Sequence, residues 1–170
     1  LFILPFFLFS ALAGQFGEKF GKDALTRAIK LAEVVIMLIG AVGFLSDHLE
    51  LMLLTLFAMG THSALFGPVK YSILPQALRE DELVGGNGLV EMGTFLAILA
   101  GTIGAGVMMS SGNYATVVAG GIVGTAVLGY LASRWIPRAA AVAPQMKLDW
   151  NIFKQSWATL RLGLGQTPAV

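Results

Sequence analysis

Long apolar segments separated by short polar connectors make up most of this chain. A helix needs about 20 mostly apolar residues to cross the hydrocarbon core of a bilayer. Four segments meet that requirement and one meets it in part: 28–46, 49–74, 86–109, 114–136 and, as the partial one, 1–16. The connectors are too short to hold soluble domains. The pattern therefore predicts an all-α, polytopic membrane helical bundle over residues 1–136.

The composition agrees with a location in a membrane. Hydrophobic residues make up 56% of the chain and charged residues 12%, whereas soluble domains carry about 25% charged residues. The net charge of +1 gives no reason to expect a nucleic-acid partner. Because the sequence contains no cysteine, it offers no disulfide and no thiolate metal site. The chain starts inside an apolar run, so we interpret it as part of a longer membrane protein.

The positions of lysine and arginine predict the orientation of the bundle. The connectors at 46–48 and 110–113 contain neither residue. Cytoplasmic loops carry an excess of lysine and arginine, so the opposite side is predicted to be cytoplasmic. That side holds all but one of the 11 basic residues: Lys19, Lys22, Arg27, Lys30, Arg79, Arg134, Arg138, Lys147, Lys154 and Arg161. The remaining one, Lys70, falls inside a predicted span.

The segment 137–170 has a different character and is predicted to be a cytoplasmic loop. Within it, the apolar and basic residues recur with helical spacing, which predicts an amphipathic helix at about 146–164. Its apolar stripe includes Met146, Trp150, Phe153 and Trp157, and its basic row consists of Lys147, Lys154 and Arg161. Such a helix either lies in the membrane interface or packs on a neighbouring domain, and the pattern leaves both interpretations open.

Lys70 and Glu91 are candidate substrate-binding residues because they lie at similar depths in successive predicted spans. A charge in the hydrocarbon core costs roughly 3 kcal/mol on insertion scales, so it usually has a partner or a function. We predict that the two side chains pair across adjacent helices until a charged substrate competes. Gly67-Pro68 precedes Lys70 and predicts a helix break that lines a cavity. The alternative for Lys70 is that its long stem carries the ammonium to the interface.

Two further ionisable residues fall inside the predicted spans. His62 lies nearer the middle of the bilayer and is the third candidate substrate-binding residue, with hydrogen-bonded packing as the alternative. Glu33 lies one helical turn from Lys30, so these two are expected to pair with each other.

Small residues repeat every four positions in the last two predicted spans. Such rows let helix backbones approach closely, so these residues are predicted helix-packing positions. The rows contain Gly93, Ala97, Gly101 and Ala105, then Gly120 and Gly124, then Gly121, Thr125 and Gly129. No strand precedes them, which excludes a phosphate-binding glycine loop. The sequence shows no catalytic arrangement, metal-ligand cluster or cofactor motif, so a non-enzyme without cofactor or metal is expected.

The loop GQFGEKFGK at 14–22 resembles the loop between helices two and three of major facilitator superfamily transporters. The matching positions are Gly14, Glu18, Gly21 and Lys22, which the resemblance implies form a conformational switch. The loop departs from the family pattern by having Glu18 where aspartate is usual and Asp23 where a second basic residue is common. The resemblance implies helices two (partial) to six of the N-terminal six-helix half, followed by the central loop.

The stretch ALFGPVKYSILPQALREDELVGGNGLVEMGTFLAILAGTIGAG at 64–106 resembles the bacterial lysophospholipid transporters of that superfamily. The resemblance implies movement of lysophospholipid, chiefly lysophosphatidylethanolamine, to the inner leaflet of the bacterial inner membrane for re-acylation, by alternating access. It also implies as partners the lysophospholipid, membrane lipid, the C-terminal half of the transporter and an acyltransferase or acyl-carrier-protein synthetase. Lys70 would then meet the lipid phosphate, while Glu91 would contact the ethanolamine ammonium or hold Lys70 in place.

Two alternative functions remain open at the level of the sequence. The first is a transporter of the same superfamily for another amphiphile or a small solute. The GTIGAG motif at 101–106 lacks the proline of drug–proton antiporters, which argues against an efflux antiporter. The second alternative is a membrane anchor for a fused acyltransferase, although an anchor has no use for charges inside its spans.

Overall fold

The computed structural model describes residues 1–148, apart from the side chains at positions 7, 10 and 11. Within this range the chain forms five α-helices, a short 3-10 helix at Glu80–Glu82 and no β-strand, which confirms the all-α prediction. The α-helices are α1 Leu4–Lys19, α2 Lys22–Leu45, α3 Leu49–Ala77, α4 Leu83–Met109 and α5 Tyr114–Ser133. Residues 137–148 contain no helix, and the rest of the predicted amphipathic helix lies outside the described range.

Within residues 1–148, four helices are long and apolar enough to cross a membrane, judged by length and composition: α2, α3, α4 together with the 3-10 turn before it, and α5. Large apolar side chains on α4, such as Phe95, Leu96 and Ile103, are more than half exposed. Such side chains suit contact with lipid acyl chains rather than with water. The prediction of a polytopic membrane bundle is confirmed.

Helix α2 begins at Lys22, six residues before the start that the apolar pattern predicts at position 28. Arg27 donates to the Asp23 carboxylate at 3.1 Å, one turn apart on the same helix. Polar residues therefore extend α2 beyond its apolar part, and only Phe20 and Gly21 connect it to α1. A pattern of apolar residues marks where the hydrocarbon core begins, not where the helix begins.

The break expected at Gly67-Pro68 is absent, because α3 continues through Pro68 and Pro75 to Ala77. Proline removes one backbone hydrogen bond but fixes a φ angle that a helix accepts. Transmembrane helices tolerate such positions where neighbouring groups satisfy the freed backbone. Lys70 therefore projects from a continuous helix.

A tight turn joins α2 to α3. Ser46 N–H donates to the Val42 carbonyl at 2.9 Å, and His48 N–H reaches back to the Gly43 carbonyl at 3.0 Å. Between them, Asp47 has a φ of 54°, the left-handed conformation that ends many helices in this way. The turn holds α2 and α3 as an antiparallel hairpin.

We expect Asp47→Gly to be tolerated and Asp47→Val to destabilise the hairpin. A left-handed residue with a side chain costs about 1–2 kcal/mol, and a β-branched residue is worse there than aspartate. Thermal unfolding of the purified protein in detergent would measure the difference. Equal melting temperatures for the two variants would show that the turn relaxes without cost.

Helix α2 packs against both α3 and α5, and α1 packs against α3. The closest approach of α2 and α3 occurs at glycines: a Cβ added at Gly40 would lie 2.8 Å from a methyl carbon of Thr55, and one at Gly43 would lie 3.0 Å from Leu51 Cβ. Neither glycine belongs to the predicted packing rows. Close packing in this hairpin therefore depends on small residues that the sequence analysis did not select.

Four of the six predicted packing glycines of α4 and α5 face open space in the described part of the chain, whereas a Cβ added at Gly121 would lie 2.8 Å from the Met108 side chain and one at Gly129 would lie 3.5 Å from Lys30 Nζ. A Cβ added at Gly93, Gly101, Gly120 or Gly124 would meet no atom of the described residues within 4 Å. Helix α4 has no buried residue and makes fewer contacts with its neighbours than α2 does. A packing role for these positions stays a prediction.

Candidate functional site

Lys70 on α3 and Glu91 on α4 are connected through Tyr71, the neighbour of Lys70 along α3. Lys70 Nζ donates to Thr94 Oγ1 at 3.2 Å, and the Tyr71 hydroxyl donates to a Glu91 carboxylate oxygen. Lys70 Nζ also lies 4.6 Å from the centre of the Tyr71 ring. No ion pair within 4.0 Å links Lys70 with Glu91. The predicted direct pair is therefore replaced by a connection through Tyr71, whose ring lies beside Lys70 Nζ and whose hydroxyl donates to Glu91.

This arrangement leaves Lys70 able to receive an anion. An ammonium group has three donors, and Lys70 uses one of them on Thr94, whose hydroxyl is held by the Val90 carbonyl at 2.7 Å. The side chain is half-buried, it has no ion pair with a residue in the range 1–148, and its ammonium lies against the face of the Tyr71 ring. A phosphate oxygen approaching Lys70 would therefore find unused donors at a fixed position.

A second group of ionisable side chains lies between α2 and α3. Lys30 Nζ donates to Glu33 Oε2 at 2.7 Å, which confirms the pairing expected from their spacing. His62 Nε2 lies 3.3 Å from the same oxygen, and its side chain is 6% exposed. Both Lys30 Nζ and the His62 ring lie against the Phe66 ring. His62, predicted as a substrate-binding residue, is thus a buried neighbour of Glu33.

A cleft of about 560 Å³ opens between α2, α4 and α5, next to this second group. Among the described residues that line it, Glu33 is the charged one. The remaining wall is apolar or small and includes Met37, Ala97, Gly101, Ala105 and Gly121. Ala97 and Gly101, which the sequence analysis assigns to helix packing, contribute here to an open volume.

The segment that follows α5, residues 137–143, covers the loop motif between α1 and α2; we call it the covering segment. Lys22 N–H donates to the Ala139 carbonyl at 2.9 Å, and the Glu18 carbonyl accepts from the N–H groups of Val142 and Ala143 at 3.0 and 2.9 Å. At Gly21, an added Cβ would lie 3.4 Å from the Ala139 carbonyl oxygen. The backbone of the motif is therefore tied to the end of the bundle.

Two residues of the motif differ sharply in burial. The Lys22 side chain is buried, with 5% exposure, and its ammonium donates to the Ser72 carbonyl on α3 at 2.7 Å. Glu18 is exposed, and a Cβ added at Gly14 would meet nothing within 4 Å. Lys22 thus connects the start of α2, the end of α3 and the covering segment.

No protein-family model matches this chain, and no solved structure matches it significantly. Curated relatives do. The chain is 30% identical over 146 residues to the lysophospholipid transporter LplT of Pectobacterium carotovorum, 32% over 148 residues to that of Klebsiella pneumoniae and 31% over 157 residues to that of Escherichia fergusonii. The chain is a homologue of these transporters.

These alignments cover 84%, 85% and 92% of this chain. They cover 33%, 34% and 37% of the three lysophospholipid transporters, so the chain spans about a third of the length of the curated relatives that it matches. Both candidate groups, around Lys70 and around Glu33, therefore belong to the portion shared with lysophospholipid transporters. The family resemblance based on the stretch 64–106 is confirmed.

Proposed function

We propose that the complete protein carrying this sequence moves lysophospholipid, chiefly lysophosphatidylethanolamine, to the inner leaflet of the bacterial inner membrane for re-acylation. The observation that carries the proposal is the similarity to lysophospholipid transporters over more than four fifths of the chain. The structure adds that half-buried or buried charges lie between helices long enough to span a membrane. Such charges are costly unless they serve a pathway or a partner.

In this proposal Lys70 binds the lipid phosphate and Glu91 positions Lys70 through Tyr71. The phosphate contact supplies orientation, since Lys70 is fixed by Thr94 and keeps unused donors. Burial of the acyl chain between helices supplies much of the affinity. In this proposal the bundle is not an enzyme, and an acyltransferase or acyl-carrier-protein synthetase restores the acyl group.

Alternating access requires contacts that form in one state and break in the other. The motif Gly14, Glu18, Gly21 and Lys22 supplies candidates, because its backbone and the Lys22 ammonium bind the covering segment and α3. We propose that the motif is a conformational switch: these contacts close the cytoplasmic end in the state described by the structure and open when the C-terminal half of the transporter moves.

Uptake of labelled lysophosphatidylethanolamine by spheroplasts is expected to fall to background when helices α1 to α5 are replaced by an unrelated membrane anchor. The control is the complete native protein, expressed at the same level in cells lacking other lysolipid uptake. Uptake that survives the replacement would favour an anchor for an acyltransferase instead. Uptake of an unrelated solute, with no competition by lysolipid, would favour a transporter of another substrate.

A further inference from the structure

We propose that Thr94 on α4 is a specificity-determining residue: its hydroxyl holds the Lys70 ammonium inside the span, so that the site selects a lysolipid with a phosphate-bearing headgroup over one with an uncharged headgroup. This inference rests on the proposed function and adds to it a residue that acts through Lys70. Thr94 is therefore a positioning residue. Its role follows from two hydrogen bonds and from its place along α4.

The Thr94 hydroxyl can act toward Lys70 only as an acceptor. A hydroxyl has one hydrogen and two lone pairs, and Thr94 Oγ1 donates its hydrogen to the Val90 carbonyl at 2.7 Å, one turn earlier on α4. This bond fixes the hydroxyl against its own helix. The lone pairs remain for Lys70 Nζ, which donates to Thr94 Oγ1 at 3.2 Å. The contact therefore joins a fixed acceptor on α4 to a flexible lysine stem on α3.

The position of Thr94 determines the depth at which the ammonium lies. Thr94 follows Leu83, the first residue of α4, by eleven residues, which is about three turns or roughly 16 Å along a helix. A lysine without such a partner extends its stem toward the membrane interface. The bond to Thr94 keeps the charge of Lys70 within the span, where the lower dielectric strengthens its attraction for an anion.

The groups that hold Lys70 within residues 1–148 have no formal charge. One is the Thr94 hydroxyl, and the other is the Tyr71 ring, whose centre lies 4.6 Å from Lys70 Nζ. Glu91, three residues before Thr94 on α4, accepts from the Tyr71 hydroxyl instead. A carboxylate in the place of Thr94 would form an ion pair that an anionic ligand must displace. A neutral acceptor positions the ammonium and leaves its charge for a phosphate.

Competition for uptake by the complete protein measures this selection. Spheroplasts take up labelled lysophosphatidylethanolamine in the presence of the unlabelled lipid or of the monoacylglycerol with the same acyl chain, which has no phosphate. In the native protein, the monoacylglycerol should need a concentration at least about tenfold higher for half-inhibition. This ratio compares two lipids on one protein, so it does not depend on the amount of protein inserted. A native ratio near one would overturn the inference.

Thr94→Val is expected to lower the ratio by roughly threefold or more, because valine keeps the shape of threonine but offers Lys70 no acceptor. Thr94→Ser keeps the hydroxyl and should keep the native ratio. The matched control is Thr102→Val. Thr102 Oγ1 donates to the Ile98 carbonyl at 2.8 Å, as Thr94 does to Val90, but Lys70 donates to Thr94 and not to Thr102. The control should therefore have the native ratio.

A double variant tests whether Thr94 acts through Lys70. Uptake in Lys70→Ala with Thr94→Val should equal uptake in Lys70→Ala alone, as expected for two residues that share one interaction. A further fall in the double variant, or a native ratio in Thr94→Val, would overturn the inference. If Lys70→Ala or Thr94→Val takes up no label, Thr94→Ser decides: a native ratio supports the inference, and a lowered ratio contradicts it.

The same measurements separate this inference from the proposed function. If the native protein takes up lysophosphatidylethanolamine but Thr94→Val has the native ratio, only the role of Thr94 is wrong. If the complete native protein takes up no lysophospholipid, the proposed function is wrong, and the inference falls with it.

Discussion

Lys70→Ala is expected to reduce uptake of lysophosphatidylethanolamine at least tenfold while leaving membrane insertion intact. Removing one partner of a desolvated charge contact typically costs about 2 kcal/mol or more, and each 1.4 kcal/mol is a factor of ten. Lys70 makes one hydrogen bond in the described structure, to Thr94, so the alanine variant loses little packing. The measurement is uptake by spheroplasts at matched expression of the complete protein.

Two further variants make the Lys70 prediction specific. Tyr71→Phe keeps the ring beside the ammonium but removes the hydroxyl that binds Glu91, so it should reduce uptake less than Lys70→Ala. Lys19→Ala removes a cation in the last turn of α1 and serves as the control for charge alone. Unchanged uptake in Lys70→Ala would mean that the ammonium reaches the membrane interface and has no role in transport. The assignment of Lys70 as a substrate-binding residue would then be wrong.

The contact between Glu33 and His62 could have been predicted from the sequence, because the register of the α2–α3 hairpin determines it. Gly40 lies directly opposite Thr55. Glu33 precedes Gly40 by seven residues and His62 follows Thr55 by seven residues. Seven residues are about two helical turns, so an antiparallel hairpin with a short turn brings the two side chains together. Considering each ionisable residue alone missed this pairing.

The cleft beside Glu33 was not predictable from the same pattern. Rows of small residues allow helices to approach closely, but they do not determine whether a neighbouring helix fills the space. In the structure, Gly101 on α4 and Gly121 on α5 line an open volume instead. The spacing identifies surfaces that permit close approach, whereas the position of α4 relative to α2 and α5 determines what occupies them.

The docking of the covering segment on the loop motif could not be predicted from the sequence either. It binds the loop motif through backbone groups, with the N–H groups of Val142 and Ala143 donating to the Glu18 carbonyl. Every residue except proline carries a backbone donor, so the side chains of this segment give no signal of its docking. By contrast, the all-α membrane bundle followed directly from segment length and apolar composition.

Lys22→Met is expected to release the end of the bundle where α2 begins and to lower uptake by about tenfold. Methionine preserves the length and apolar contacts of the buried stem, but it removes the ammonium that donates to the Ser72 carbonyl at 2.7 Å. A hydrogen bond from a charged group contributes about 1.5–3 kcal/mol. The variant thus tests the connection between α2 and α3 with little change in packing.

Trypsin cleavage at Arg138, in inside-out vesicles, reports directly on the covering segment. Because Lys22 also anchors Ala139 through its backbone N–H, loosening Lys22 should expose the bond after Arg138 and raise its cleavage rate. Lys19→Met is the matched control, since Lys19 lies at the same end but contacts only the Phe20 ring within the described range. Lower uptake with faster cleavage supports a switch at this motif. Lower uptake with an unchanged cleavage rate would mean that Lys22 acts through its contact with α3 and not through the covering segment. If neither uptake nor the cleavage rate changes, the motif has no part in the mechanism.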